Sequence, residues 1–227
     1  MLKALIFDFD GLILDTETPE VEVWQSIYRE HGIELPVYEW VKTIGGYGLS
    51  SFDAAAHLAE LTGLDPAPLR ARYRAESDAI INANSIMPGV VDMIRAARDR
   101  RLGLAVASSS PHSWVDPHLA RLRLADYFDH VICADDVPPG RTKPNPDLFL
   151  VALARLKVRN DAAVVFEDSP NGVRAARAAG IFVVAVPNTL TSQMTFEGES
   201  LRVWSLADLK LEDLSARFSD TIGMETR

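Results

Sequence analysis

Short apolar runs alternate with stretches of helical spacing along most of the chain. Met1 to Asp10 is a near-continuous apolar run that closes on two carboxylates. Comparable runs recur at Leu102 to Ser108, His130 to Ala134, Ala162 to Phe166 and Ile181 to Val186, with a weaker one at Arg202-Val203-Trp204. Continuous rather than alternating apolar character suits strands covered on both faces. Between the runs, Val90 to Arg101 sets Val91, Ile94, Ala97 and Arg98 at helical spacing, and Asp147 to Leu156 does the same with Leu148, Val151, Ala152 and Leu156. Asn171 to Ala179 is Ala-rich, with Ser169-Pro170 as a start signal and Gly180 as a stop. Strand and helix repeated from about residue 86 to 217 predict an α/β fold, a Rossmann-like three-layer parallel sheet with helices on both faces.

Residues 16–85 break that rhythm and read as helices only. Glu17 to His31 ends at Gly32, Ser51 to Thr62 ends at Gly63, and Asp65-Pro66 opens a third helix to about Ile81. Trp24, Ile27, Tyr28 and His31 share a face of the first, which predicts a core-edge role for His31. The chain thus divides into an α/β core, residues 1–15 and 86–227, and an all-helical block inserted after the first strand. Ligands of open parallel sheets bind outside the carboxyl ends of the strands, so the inserted block is expected to overhang the site. The last residues, Ser219 to Arg227, read as frayed.

Composition narrows the partners. No segment is long or uncharged enough to cross a membrane, and the N-terminal run is interrupted by Asp8, Asp10 and Asp15, unlike a signal peptide. A cytoplasmic monomer is expected. The net charge is −9 with no block of Lys or Arg, which argues against nucleic acid and anionic membranes as partners. The single cysteine, Cys133, lies in an apolar run and reads as a small buried hydrophobe.

Chemistry gathers at the strand ends. Side chains two apart on a strand point the same way, so Asp8 and Asp10 leave the first strand together, as its exposed end. Two carboxylates this close ask for a hard cation or a shared proton, and with oxygen ligands alone the natural cation is Mg²⁺. The second run ends in Ser108-Ser109-Ser110, the third is followed by Lys143-Pro144, and the fourth ends in Glu167-Asp168-Ser169. Singly, each has a bland reading as a turn, a solvated charge or a helix cap. Together, acids at two strand ends can chelate a cation while hydroxyls and a lysine at two others hold phosphate oxygens, as attack of a carboxylate on phosphorus requires.

Asp8-Phe9-Asp10-Gly11-Leu12-Ile13-Leu14-Asp15-Thr16-Glu17, Ser108, Lys143-Pro144 and Glu167-Asp168-Ser169, in this order, resemble the four motifs of the haloacid dehalogenase-like hydrolase superfamily. The likeness is to its phosphatase and beta-phosphoglucomutase-like branch and spans about residues 1 to 215. It implies a helical cap domain over residues 16–85. It also implies that Asp8 is the nucleophile and that Asp10 is the general acid and base. Ser108, Ser109 and Lys143 would bind phosphate, and Asp8, Asp10 (through its backbone carbonyl), Asp168 and Glu167 would serve Mg²⁺. The expected substrate is a small phosphorylated metabolite, a sugar or polyol phosphate. The cap loop Gly45-Gly46-Tyr47-Gly48-Leu49-Ser50-Ser51 is an expected source of specificity through Gly46, Tyr47 and Ser50, with His112 and Trp114 as further candidates.

A sugar phosphomutase is the nearest alternative, but the resemblance would then call for a basic residue in the cap loop and a cap histidine after the first motif. This chain has Gly48-Leu49-Ser50-Ser51 and Pro19-Glu20-Val21-Glu22 there. A dehalogenase would leave Asp10 and Asp168 without a task. A receiver-type signalling module would be about half this length.

Overall fold

The structure, a computed structural model, describes residues 1–42 and 52–225. The first four helices are α1 (Glu17–Glu30), α2 (Val37–Val41), α3 (Ala54–Thr62) and α4 (Pro66–Ala83). They follow strand β1 (Ala4–Phe7). Helix α5 (Val90–Asp99), β2 (Gly103–Ala107), α6 (His112–Arg121) and β3 (His130–Ile132) come next. The chain ends with α7 (Asp147–Leu156), β4 (Ala163–Glu167), α8 (Pro170–Ala178), β5 (Phe182–Ala185), β6 (Leu201–Arg202) and α9 (Leu211–Glu225). Among the described residues all strand pairings of the sheet are parallel, in the order β3-β2-β1-β4-β5-β6. The α/β architecture expected from the alternation is present.

Strands β1, β2, β4 and β5 are buried on both faces, which explains their unbroken apolar character. Leu5, Phe7, Val106 and Phe166 face one layer with Ile94 of α5, Leu119 of α6 and Leu214 of α9. Ala4, Ile6, Ala107 and Val165 face the other with Phe149 of α7 and Val173 of α8. Helices α1 to α4 pack around a third apolar cluster that includes Trp24, Tyr28, Trp40, Leu58 and Leu69. Their ends follow local chemistry: Asp53 and Asp65 accept from Ala56 N and Ala67 N, and Gly63 closes α3 with φ +75°.

The chain leaves the sheet for the helical block and returns at neighbouring positions. Leu14 and Ile86 pair antiparallel, Met87 N donates to Ile13 O at 2.9 Å, and Asn84 Nδ2 donates to Asp15 O at 2.9 Å. The outgoing and returning chains therefore lie side by side.

Several expectations need correction. Helix α6 was not foreseen, because Pro117 inside it interrupts the helical signal. The short α2 was also missed. Helix α9 continues through Glu225, so the backbone beyond Ser219 is helical rather than frayed. His31 is an exposed C-cap, not a core-edge residue. The sixth strand lies at Leu201–Arg202 and leaves Trp204 exposed. Cys133 is buried as expected. No described helix is long and apolar enough to cross a membrane.

Candidate active site

Parallel register sets the site. Phe7 lies level with Val106 on one side and Phe166 on the other, so Asp8, Ala107 and Glu167 emerge in one row at the carboxyl edge. Asp8 is only 5% exposed, a correction to the expected open strand end: Lys143, Glu167 and Asp168 crowd around it. A buried carboxylate needs compensation, and Lys143, itself buried, supplies it. Its ammonium donates to Asp8 Oδ1 and lies 2.5 Å from Glu167 Oε1. Burial opposes the lysine's charge, yet the two carboxylates hold its pKa well above the usual lysine range.

Asp168 is buried one residue beyond Glu167, and oxygens of Asp8, Glu167 and Asp168 lie within 4.8 Å of one another. Burial and the repulsion of Glu17, Asp8 and Glu167 push the Asp168 carboxyl well above its ordinary range. Asp8 is raised to about 8, by burial first and then by Glu167, with Lys143 pulling it back. Glu167 Oε2 accepts from Ser169 N and Oγ, so this residue is tied to Lys143 and to the start of α8. Asp168 Oδ2 accepts from Asn188 Nδ2 at 2.7 Å, whereas Asp168 Oδ1 is buried with no hydrogen-bond partner. An orphaned oxygen inside an all-carboxylate cluster fits a hard cation. Gly11, with φ +77°, is required here, since a Cβ would come within 2.3 Å of Asp168 Oδ2.

Asp10 faces the cavity differently. Its Oδ1 accepts from Thr16 Oγ1 at 2.9 Å and Trp114 Nε1 at 2.8 Å, and its Oδ2 accepts from Ser110 Oγ at 2.7 Å and Ser108 Oγ at 3.2 Å. Ser108 Oγ also accepts from Ser110 N, while Ser109 Oγ is buried without a partner and is therefore a ready donor for an anion.

Asp8, Asp10, Thr16, the three serines, Trp114 and Lys143 line a cavity of about 610 Å³. The inserted helices supply Glu20, Trp40, Tyr73, Arg74 and Asp78 to its wall, while Glu17, at the start of α1, lies beside Asp168 with Asn188 between them. Glu20 is hydrogen-bonded to Tyr73, and burial together with Asp10 and Asp78 raises its pKa to about 7. Glu17 accepts from Asn188 and is also raised, by burial first.

Asp8, Asp10, Ser108, Ser109, Lys143, Glu167 and Asp168 thus come together. Gly46, Tyr47 and Ser50 lie outside the described residues. Trp114 reaches the cavity, but His112 does not line it, being clamped by Asp116 and Asp136 at 3.1 and 2.8 Å. Glu20 and Asn188 were missed, and Ser110, expected only as part of the serine cluster, proves to bond Asp10. Asn188 stands just past the end of β5, so the strand-end rule that found the others could have found it.

The model of the haloacid dehalogenase-like hydrolases matches residues 2–180. The chain belongs to the haloacid dehalogenase-like hydrolase family. Within the family, YhcW of Bacillus subtilis (strain 168) is 42% identical over 213 residues, covering 93% of this chain and 95% of that protein. The fructose-1-phosphate phosphatase YqaB of Escherichia coli (strain K12) is 37% identical over 186 residues, 81% of this chain and 95% of its own. Among solved structures, CbbY from Rhodobacter sphaeroides in complex with phosphate superposes with a TM-score of 0.70 at 26% identity, covering 95% of this chain and all of that one. The family expected from the four motifs is therefore borne out.

Proposed function

We propose that the protein is a Mg²⁺-dependent phosphomonoesterase that hydrolyses a small sugar or polyol phosphate through an aspartyl phosphate on Asp8. The observation that carries this reading is the buried Lys143 ammonium shared by Asp8 and Glu167, beside the orphaned Asp168 Oδ1. Asp8 and Asp168 would hold the cation, with Glu167 and the Asp10 backbone carbonyl in support. When bound, the cation offsets the charges of Asp8 and the phosphate so that two anions can meet.

A carboxylate oxygen of Asp8 attacks phosphorus, and the bond to the leaving alkoxide breaks as that oxygen takes a proton from Asp10. Lys143, the Ser108 and Ser109 hydroxyls and nearby amides bind the phosphoryl oxygens as charge shifts. Asp10, now ionised, takes a proton from water. The resulting hydroxide attacks phosphorus, frees inorganic phosphate and restores Asp8. Residues 16–85 act as a cap that closes the cavity over the leaving group. The phosphatase names of relatives such as YqaB support the same reading.

The test is free-phosphate release from a panel of phosphorylated metabolites with and without Mg²⁺. Release is expected to need the metal, and Asp8→Asn to retain less than about a hundredth of the wild-type rate. Metal-independent release, or release by the variant above that level, would overturn the proposal. Isomerised sugar phosphate in place of free phosphate would identify a mutase.

A further inference from the structure

We propose that the wall of the cavity opposite Asp8 selects a neutral, polyhydroxylated leaving group and turns away one bearing a second phosphate or a carboxylate, with Glu20 and Asp78 as the specificity-determining residues. This rests on the phosphatase reading and narrows its substrate class.

Charge is the first argument. The wall adds Glu20 and Asp78 to a cavity that already holds Asp8 and Asp10, and above about pH 7 Glu20 carries its charge. Lys143 is committed to Asp8 and Glu167, which leaves Arg74 as the only other cation among the described lining residues. Arg74 is exposed, and Asp78 follows it at i+4 on the same helix, so any second anion that reached it would also meet a carboxylate. Like charges brought together inside a cleft are a strong basis for rejection.

Hydroxyls meet the opposite reception. An ionised carboxylate only accepts hydrogen bonds, and hydroxyls of a polyol are donors that can satisfy it. Glu20 is presented rigidly: its partner Tyr73 stacks on buried Trp24 with ring centroids 4.6 Å apart and an interplanar angle of 18°. Two aromatic side chains, Trp40 from the block and Trp114 from α6, line the same cavity. The electron-rich faces of such rings suit the C–H faces of a sugar, and carboxylates beside them suit its hydroxyls. A wall that needed to grip a second phosphate would carry the reverse polarity.

The test compares kcat/KM at pH 8 for phosphate release from fructose 1-phosphate, fructose 1,6-bisphosphate and 3-phosphoglycerate, with Mg²⁺ present, in wild type and in the Glu20→Gln/Asp78→Asn double variant. Wild type should favour the monophosphate over both other esters by about tenfold or more, and the double variant should shrink that ratio by roughly tenfold, less so at high salt. A wild-type ratio near one, or a ratio the double variant leaves intact, would defeat the assignment. So would a preference for the bisphosphate that disappears in Arg74→Ala. Calorimetric binding of the three esters to Asp8→Asn reads the same discrimination without turnover. A wrong phosphatase reading would therefore show as absent phosphate release with the binding preference intact.

Discussion

Trp114 Nε1 donates to Asp10 Oδ1 at 2.8 Å, joining the first turn of α6 to the loop after β1. The indole cannot take or give a proton in the reaction, so its part is to aim the carboxylate. Trp114→Phe keeps a ring in the cavity and removes the donor. The expected result is a fall in kcat of roughly tenfold with KM little changed, because a misplaced general acid forfeits part of the contribution of proton transfer. Steady-state kinetics on any accepted ester checks this, and an unchanged kcat would show that Thr16 and the serines position Asp10 unaided.

Lys143 offsets two buried carboxylates, so removing it should damage both stability and chemistry. Lys143→Met is expected to cost about 3–5 kcal/mol at neutral pH, the usual result of stranding a buried charge. Without the ammonium, which pulls the Asp8 pKa down, Asp8 holds its proton more tightly in the folded state. The loss should therefore be smaller at pH 5 than at pH 8. Urea unfolding at the two pH values measures it.

Glu20 predicts a pH dependence of its own. Its folded pKa, about 7, lies above the ordinary carboxyl value, so the native state binds this proton more tightly than the unfolded chain does. The associated stability is fully present below the unfolded value of 4.5 and is lost as pH rises through about 7. Glu20→Gln should thus change little at pH 4.5 and stabilise the protein by on the order of 1–3 kcal/mol at pH 8. Thermal unfolding across that range is the measurement, and the gain in stability would come at the expense of substrate discrimination.

Gly172 sits in the first turn of α8, where Gly→Ala ordinarily gains about 1 kcal/mol. Here a Cβ would fall 1.8 Å from the Glu167 carboxyl group. Overpacking of that kind costs about 1–3 kcal/mol, and the displaced Glu167 would lose Lys143. Gly172→Ala should be net destabilising and should lower activity, as chemical denaturation and an activity assay would show.

The sequence made much of this legible, for identifiable reasons. Unbroken apolar runs marked β1, β2, β4 and β5 because both faces of each strand are covered, and polar residues concentrated where the runs stopped. What escaped notice depended on contacts distant in sequence. Asp8 reads as an open strand end until Lys143 and the end of β4, distant in sequence, are placed beside it. Helix α6 is disguised by Pro117, and with it the reach of Trp114 to Asp10. The pairing of Glu20 with Tyr73 depends on how α1 packs on α4, which no local pattern encodes.

The pairing of Leu14 with Ile86 has a consequence for how such a chain can diversify. The inserted helices begin and end at neighbouring positions, so the segment between could be exchanged for one of another length or shape without altering the register of the sheet. Asp8, Lys143 and Asp168 lie outside that exchangeable segment, whereas Glu20 and Asp78 lie within it. On the proposed roles, the reaction and the choice of molecule are carried by separable parts of one chain, free to be inherited independently.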